Sequence, residues 1–305
     1  MTTDTEHPTS YLPEQSGPST TEDSERFAML TATPPVSLPA LGLFVLGVAI
    51  FVWSTMAAMA GTIPVALAVI LNGFALYLFF SLMHDALHES ASSNKPTNEL
   101  LGRISLFFMI PFAPLEIARW IHLKHHAHTA CAGDPDNFMH HGRWWVLPLR
   151  WANFDVFYTV YFLKAYFDGE AIAQRHAFAV ARYVVALVGL VFGFVFAGYG
   201  LELLVFWFLP SRIGLMLVGC VFVFLPHHPA DISSHQDKYA ATTIRQGWEW
   251  LLTPLMAFHN YHLIHHLFPQ VPFYKYLKMW DLRGEEIMTH KPAMQDTFKL
   301  RPANR

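Results

Sequence analysis

Charged residues are scarce in this sequence. Asp, Glu, Lys and Arg make up 14% of its 305 residues, whereas an average soluble domain carries about 25%. Hydrophobic residues reach 53%, so a soluble fold of this composition would lack the polar surface needed to cover its core. The composition therefore excludes an ordinary soluble domain. Aromatic residues, at 15%, exclude disorder of the whole chain, because disordered chains are poor in them.

Cysteine and excess basic charge are also lacking. The two cysteines, Cys131 and Cys220, cannot form a disulfide framework, a zinc knuckle or an iron–sulfur site. The formal net charge of −3 gives no reason to expect nucleic acid as a partner.

The chain divides into three parts by composition. Residues 1–33 are rich in Thr, Ser, Pro and Glu, which predicts a disordered N-terminal tail. Residues 34–290 hold the long apolar stretches and are predicted to form the membrane domain. Residues 291–305 are predicted to be a C-terminal tail.

Four stretches are apolar and close to the ~20 residues that cross a bilayer as a helix. They are Leu38–Met59, Thr62–Met83, Ala177–Ala197 and Glu202–Leu225. The predicted fold class is an all-α integral membrane protein with four transmembrane helices in two hairpins and a cytoplasmic helical cap. Two shorter apolar pieces, 104–115 and 144–163, are interrupted by prolines, which favours interfacial or re-entrant helices.

The hairpins decide which segments share a side of the membrane. Because each hairpin returns the chain to its starting side, the N-terminal tail, residues 84–176 and residues 226–305 must lie on one face. These regions hold nearly all the Lys and Arg, so both termini are predicted to be cytoplasmic. Arg212 lies within the fourth stretch, where it either faces a protein-lined cavity or marks a broken helix.

The sequence has 18 histidines, and many lie in four clusters on this shared face. The clusters are HDALH (His84, His88), HLKHH (His122, His125, His126), HHP (His227, His228) and HLIHH (His262, His265, His266). Residues at i, i+3 and i+4 of a helix project from one side, so each cluster can present its imidazoles to one point. If one of His227 and His228 binds, nine ligands result, which is enough for two metal ions. Imidazole suits iron, zinc or copper, and we expect iron because so many nitrogen ligands favour oxygen chemistry.

Other polar residues near the clusters are candidates for hydrogen bonds to the ligands. A metal-bound histidine usually donates its second N–H to a carboxylate or carbonyl, which makes Asp85, Asp134 and Asp136 candidates. Asp134 and Asp136 could instead cap a turn. His128, His228 and His259 are also assigned to this supporting shell. The remaining histidines are expected to be polar residues at the membrane edge: His7, His140, His141, His176, His235 and His290.

These three histidine boxes after two hairpins resemble those of the membrane fatty acid desaturase and hydroxylase superfamily, over residues 40–280. The strings HLKHHAHTACAGDPDNF, FWFLPSRIG, LPHHP and NYHLIHHLFPQVPFYKY resemble the β-carotene hydroxylase branch. One departure is His228, where that branch is expected to have Arg; it puts the details on the substrate side in question. HHLFP is shared with acyl-lipid desaturases.

The resemblance implies a di-iron centre, molecular oxygen as co-substrate and oxidation of an unactivated C–H bond. The iron ligands carried over would be His84, His88, His122, His125, His126, His227, His262, His265 and His266. A carotenoid-ring hydroxylase is the expected activity, with an acyl-lipid desaturase or hydroxylase as the alternative. A zinc-dependent membrane hydrolase or a metal-binding receptor is the third possibility.

Partners follow from the same resemblance and from what the sequence omits. The substrate would be a carotenoid or an acyl chain, held in an apolar channel between the spans. The sequence has no haem-binding HPGG string and no cysteine-rich segment, so a separate carrier such as a ferredoxin is expected to deliver electrons. Lys275, Lys278 and Arg283 could dock an acidic donor or bind anionic membrane lipid.

Overall fold

A computed structural model describes residues 21–303 of the chain. Four of its helices are long and apolar enough to cross a membrane: α2 (Leu38–Met59), α3 (Val65–Leu87), α8 (Ala171–Phe196) and α9 (Gly200–His227). They form two hairpins, as predicted, and the first span has the predicted bounds. The second continues to Leu87 because His84 and Asp85, although polar, remain helical. Hydropathy alone does not reveal such an extension beyond the apolar run.

Shorter elements form a cap at one end of these spans. The helices are α1 (Thr21–Thr31), α4 (Lys95–Met109), α5 (Leu115–His128), α6 (Leu147–Ala152), α7 (Phe154–Phe167), α10 (Glu249–Leu255), α11 (His262–Leu267) and α12 (Tyr276–Thr289). Single 3₁₀ turns occur at Asn137–Met139, His259–Tyr261 and Phe273–Lys275. Two short strands, β1 (Thr243–Gln246) and β2 (Ala293–Asp296), pair in parallel. The fold is therefore helical apart from one small strand pair.

The third span shows why the protein needs a lipid environment. Within α8 only Ala173 is buried, and large apolar side chains such as Phe178 (74% exposed) and Phe192 (70%) project outward. Exposed apolar surface of this extent is not stable in water. Together with the four spanning helices, it identifies a membrane protein.

Close helix packing holds the first, second and fourth spans together. A Cβ atom added to Gly47 would lie 2.7 Å from the Phe79 ring, and one added to Gly73 would lie 2.6 Å from Ile213. Small residues that permit such approach are typical of helix packing in membranes, where apolar burial gives little driving force.

A polar link joins the same three spans. The Asn72 amide donates to Thr55 Oγ1 at 2.9 Å and to the Phe206 carbonyl at 3.0 Å. Phe206 lies in one of two wide π-helical turns of α9, Leu204–Phe208 and Gly219–Phe224. In the bilayer each backbone polar group needs a protein partner, and Asn72 provides one here.

The segment α6–α7 packs against the fourth span. Gly219 of α9 lies against Trp151, since an added Cβ would be 2.7 Å from the Trp151 Cβ. Arg212, inside the fourth span, donates to both carboxylate oxygens of Asp155 at 2.9 and 2.8 Å. The Asp155 carboxylate thereby neutralises the Arg212 guanidinium, which explains how a charged residue lies inside an apolar span.

Both predicted tails contain ordered structure where they are described. Residues 21–31 form a helix rather than a disordered segment, because Phe27 packs edge-on against Phe268 and Lys275 Nζ donates to the carbonyls of Met29, Leu30 and Ala32. Near the other end, residues 293–296 pair with β1. Residues 1–20 and 304–305 lie outside the described part of the chain.

Candidate metal centre

Four elements bring the histidine boxes to one end of the spans. The last turn of α3 carries His84, and His88 follows at its end. Helix α5 carries the HLKHH box, α9 ends at His227, and α11 carries the HLIHH box. Because α3 and α9 both run toward this end, segments far apart in sequence meet there. The nine histidines predicted as ligands all lie in this one cluster.

The cluster contains two groups of four imidazoles. In each group, one ring nitrogen from every residue lies within 4.8 Å of those of the other three. The first group is His84, His88, His122 and His265, and the second group is His125, His227, His262 and His266. His126 lies between them, with Nε2 2.8 Å from Nε2 of His265 and its ring stacked 4.2 Å from that of His266.

The nitrogen spacings fit metal ligation. The Nε2 atoms of His88 and His122 are 2.8 Å apart, and those of His227 and His262 are 3.0 Å apart. The Nε2 atoms of His122 and His126 are 3.2 Å apart, as are those of His262 and His266. Two nitrogens bound at right angles to one ion, each at about 2.1 Å, would be about 3.0 Å apart. A cation in each group would satisfy several converging lone pairs at once, which a single shared proton cannot do.

The electrostatics keep most of these rings in the form that binds a metal. Burial is the main cause, and neighbouring imidazoles the second, of pKa values well below 6.5 for His122, His126, His262 and His266. Neutral imidazole has a free lone pair, and this is the form in which histidine ligates metals.

His125 differs from the other rings of the cluster because two carboxylates face its Nδ1 atom. Its Nδ1 lies 3.0 Å from Asp134 Oδ1 and 3.4 Å from Asp136 Oδ2. Burial lowers the pKa of His125, but the negative charges of Asp134 and Asp136 outweigh it and raise the pKa to about 9. In the metal-bound form the same contacts would orient the ring and leave Nε2 directed at the second group.

Hydroxyl groups support two further imidazoles, and sequence reasoning did not identify them. Tyr276 Oη lies 3.0 Å from His265 Nδ1, and Thr129 Oγ1 lies 3.4 Å from His266 Nδ1. Thr129 directly follows α5, and Tyr276 lies 11 residues after His265. The string FYKY marks the position of Tyr276 but gives no sign of its partner.

The structure separates the predicted supporting residues. Asp134 and Asp136 contact a ligand candidate, but Asp85 accepts a hydrogen bond from Ser37. The His128 ring lies 5.5 Å from the His235 ring, and His128 belongs to neither group. The ring of the half-buried His228 lies tilted against that of Phe224, with the centroids 4.7 Å apart, and the second group contains His227 and not His228.

His259 and His140 are the two further histidines close to the cluster. The His259 ring lies 5.1 Å from that of His84, and its Nδ1 donates to the Ala257 carbonyl at 2.9 Å. His140 is 7% exposed and its ring lies 5.8 Å from that of His227. The expectation that His140 is a polar residue at the membrane edge was wrong, because the turn at 137–139 directs it inward.

An apolar cavity of about 140 Å³ reaches the cluster. Its lining includes His84 and His122 from the first group and His125 and His262 from the second. Its walls come from six helices, α3, α4, α5, α7, α8 and α9, and include Met83, Met109, Ile121, Phe162, Val184 and Val218. The arrangement can hold an apolar group directly beside two metal sites.

Comparison with known proteins agrees with this geometry. The family model described as fatty acid desaturase matches residues 60–298. A beta-carotene ketolase of Paracoccus sp. strain PC1 is 28% identical over 198 residues, which are 64% of this chain and 71% of that protein. A beta-carotene ketolase from a second Paracoccus strain is 27% identical over 197 residues, with the same coverage.

The name of a further relative gives a different substrate. The dihydrorhizobitoxine desaturase of Bradyrhizobium elkanii is 25% identical over 252 residues, which are 72% of this chain and 68% of that protein. All three relatives are oxidising enzymes, and the family match covers the four histidine clusters and three of the spans. The chain belongs to the fatty acid desaturase family of membrane oxidoreductases.

Proposed function

We propose that the protein is an oxygen-dependent di-iron oxidoreductase that hydroxylates a ring carbon of a carotenoid. The observation that carries this proposal is the apolar cavity whose lining includes imidazoles of both groups. An apolar group seated there lies next to both metal sites. A cavity of about 150 Å³ can accommodate one benzene-sized ring, so this one suits a ring end of a long substrate.

The nine clustered histidines are assigned as the metal ligands. The first group and His126 would hold one ion, and the second group would hold the other. His227 is preferred to His228 because only His227 belongs to the second group. Bound iron would supply the activation of molecular oxygen and the oxidant for the C–H bond. Hydroxylation consumes one oxygen molecule, two electrons and two protons, and yields the alcohol and water.

The chain's own residues bind and orient the substrate. Met83, Phe162 and Val218 surround the apolar group, which excludes water from the reacting carbon. Asp134 orients the His125 ring through its Nδ1 atom, and Tyr276 orients the His265 ring in the same way. The protein thus supplies position and dryness, and the metal supplies the redox chemistry.

A ketone-forming reaction is the second candidate, and the two relatives named beta-carotene ketolase favour it. Both reactions begin with the hydroxylation of one ring carbon. A ketone follows when the same carbon is hydroxylated a second time and the resulting geminal diol loses water. An acyl-lipid desaturase or hydroxylase is the remaining alternative, and the relative named a desaturase supports that branch.

The test uses cells that accumulate β-carotene and express this chain. Pigments and lipids are extracted after growth with and without oxygen and analysed by mass spectrometry. Hydroxylated carotenoid that forms only with oxygen supports the proposal, and a keto product supports the second candidate. Unchanged carotenoid together with an altered acyl profile would move the assignment to the acyl-lipid branch.

Metal analysis separates the oxygenase from a zinc hydrolase. Protein purified under anaerobic conditions should retain two irons per chain if both groups bind. Zinc alone, with no product in either lipid class, would contradict the oxygenase proposal.

The electron donor is proposed to be a separate carrier on the cytoplasmic side, where the positive-inside rule predicts that the cluster lies.

A further inference from the structure

One tyrosine joins the cavity wall to the second group of histidines. Tyr158 lies on α7 and lines the cavity. Its hydroxyl donates to Asp136 Oδ1 at 2.6 Å, and the other carboxylate oxygen of Asp136 is 3.4 Å from His125 Nδ1. Three side chains from α7, a loop and α5 thus form a continuous chain.

The two carboxylates facing His125 are held in different ways. Asp134 is fixed by the backbone, because its Oδ2 accepts from the Ala130 amide at 2.7 Å and its Oδ1 accepts from the Asp136 amide at 2.8 Å. The Asp136 carboxylate accepts from the Tyr158 side chain instead. Both carboxylates are buried, so Asp136 needs that donor to remain close to Asp134.

The tyrosine ring is itself fixed by its neighbours. It lies 5.3 Å from the Phe154 ring and 6.0 Å, edge-on, from the Phe138 ring. A hydroxyl on a ring packed in this way has little freedom to leave its partner. Tyr158 is therefore placed to determine where the Asp136 carboxylate lies.

We propose that Tyr158 is a positioning residue that acts through Asp136 to hold His125 in its ligand orientation in the second group. Because the same ring lines the cavity, the orientation of His125 is tied to the wall against which the substrate packs. This inference rests on the proposed function only in requiring that His125 ligates a metal ion.

The matched experiment compares Tyr158→Phe with Tyr161→Phe in the full-length protein. Tyr161 lies one turn further along α7 with its ring against Trp120 at 5.6 Å, so it controls for the loss of a hydroxyl on the same helix. Metal-free protein is titrated with ferrous iron under anaerobic conditions in competition with a chelator. Mössbauer spectra of the iron-loaded proteins report on the two sites separately.

We expect Tyr158→Phe to bind one iron normally and the other about 10–100-fold more weakly, the usual effect of losing a group that supports a metal ligand. The spectrum of one site should change, while Tyr161→Phe should resemble the wild type in both measurements. A purely structural role would lower the unfolding temperature without a selective loss at one site.

Asp136→Asn and the double variant test whether the tyrosine acts through the carboxylate. If it does, Asp136→Asn alone should weaken the same site, and adding Tyr158→Phe should cause little further loss. Additive losses would show that Tyr158 acts independently of Asp136. Asp136→Asn also provides the measurement if Tyr158→Phe does not fold, because an unchanged second site in that variant would overturn the proposal.

The outcomes also separate this inference from the proposed function. Wild-type protein that binds no iron would contradict the proposed function itself. Wild-type and Tyr158→Phe proteins that bind two irons with equal affinity and identical spectra would overturn the positioning role and leave the proposed function standing.

Discussion

Single imidazoles in the cluster respond to pH in opposite directions. Burial and neighbouring rings hold the pKa values of His122, His126 and His266 well below 6.5. The carboxylates of Asp134 and Asp136 raise the pKa of His125 to about 9 despite its burial. In the metal-free protein at neutral pH, His125 is therefore protonated, whereas His122, His126 and His266 are neutral.

The free energy of unfolding of the metal-free protein should be greatest near neutral pH. Below about 6.5 the unfolded chain protonates histidines that remain neutral in the fold, so stability falls by up to about 1.4 kcal/mol per pH unit for each group. His125 contributes stability below about 6.5 and loses it as the pH rises toward about 9. Denaturant unfolding at a series of pH values measures both slopes.

His125→Gln is the control for this profile. It should flatten the loss of stability above neutral pH and leave the acid side steep. An unchanged alkaline slope in this variant would show that another group is responsible.

Replacing one ligand should remove activity, whereas replacing a histidine outside the cluster should not. His265→Ala removes a ring from the first group, so product formation should fall to background and iron content should drop below two per chain. His128→Ala should retain both, because His128 contacts His235 instead. Product analysis in cells and metal analysis of purified protein measure the two effects. Near-normal turnover in His265→Ala would refute the nine-ligand assignment.

At the scale of elements, one ion pair fixes helix α7 to the fourth span. The Asp155 side chain is 5% exposed and Arg212 is 22% exposed, so loss of one partner leaves a largely buried charge. Because α7 carries both Asp155 and Tyr158, this ion pair also fixes the cavity wall.

Asp155→Ala should lower the free energy of unfolding by about 3 kcal/mol, the lower end of the range for breaking a buried pair. Asp168→Ala, at the exposed end of the same helix, should change it little. Removing Arg212 as well, by Arg212→Met, should restore part of the loss because no unpaired charge remains. The check is denaturant unfolding in detergent, and a loss in the double variant as large as in Asp155→Ala would argue against this explanation.

A second element-scale contact holds helix α1 to α12. Lys275 Nζ caps the last carbonyls of α1, and the guanidinium of Arg283 lies 4.9 Å from the centre of the Phe27 ring. Positive charge at a helix C-terminus is favourable. Two of the three cations considered for partner docking are thus engaged within the chain.

Lys275→Met should release α1 and raise the rate of trypsin cleavage at Arg26 about tenfold, as expected for losing a charged hydrogen-bonding group. Lys278→Met should not, since Lys278 is exposed and lies three residues further along the chain, on α12. Mass spectrometry of timed digests detects the cleavage. Equal rates in both variants would show that the lysine cap does not hold the helix.

The sequence predicted what depends on composition and spacing, and missed what depends on tertiary contacts. The first span has its predicted bounds because hydropathy changes sharply at both ends. The nine histidines converge because helical spacing and hairpin parity fix their side. The contacts of Tyr158 and Tyr276 join residues 22 and 11 positions apart, and no local pattern encodes such pairs. The strand pair joins segments about 50 residues apart, and its strands are four residues each, too short to stand out.

For the whole molecule, the arrangement of hairpins predicts sidedness. The hairpin turns near Gly61 and Gly198 lie at the opposite end of the spans from the cluster. In a variant with both native cysteines replaced, Thr62→Cys should react with an impermeant maleimide added to intact cells. Ser93→Cys, on the same side as the cluster, should react only after the cells are opened. The reverse pattern would place the cluster outside.

The composition of the two groups has a consequence for how the protein is made. The first group needs His265 beside His84, and the second needs His262 beside His125. Neither set of four is complete until the final third of the polypeptide has left the ribosome. A nascent chain that has reached residue 130 presents five of the nine assigned ligands and no complete group of four, and such a partial set can bind zinc or copper. If the two groups hold iron as proposed, loading of both sites has to follow the synthesis of His265, and the cell's own supply of each metal then determines which ion enters.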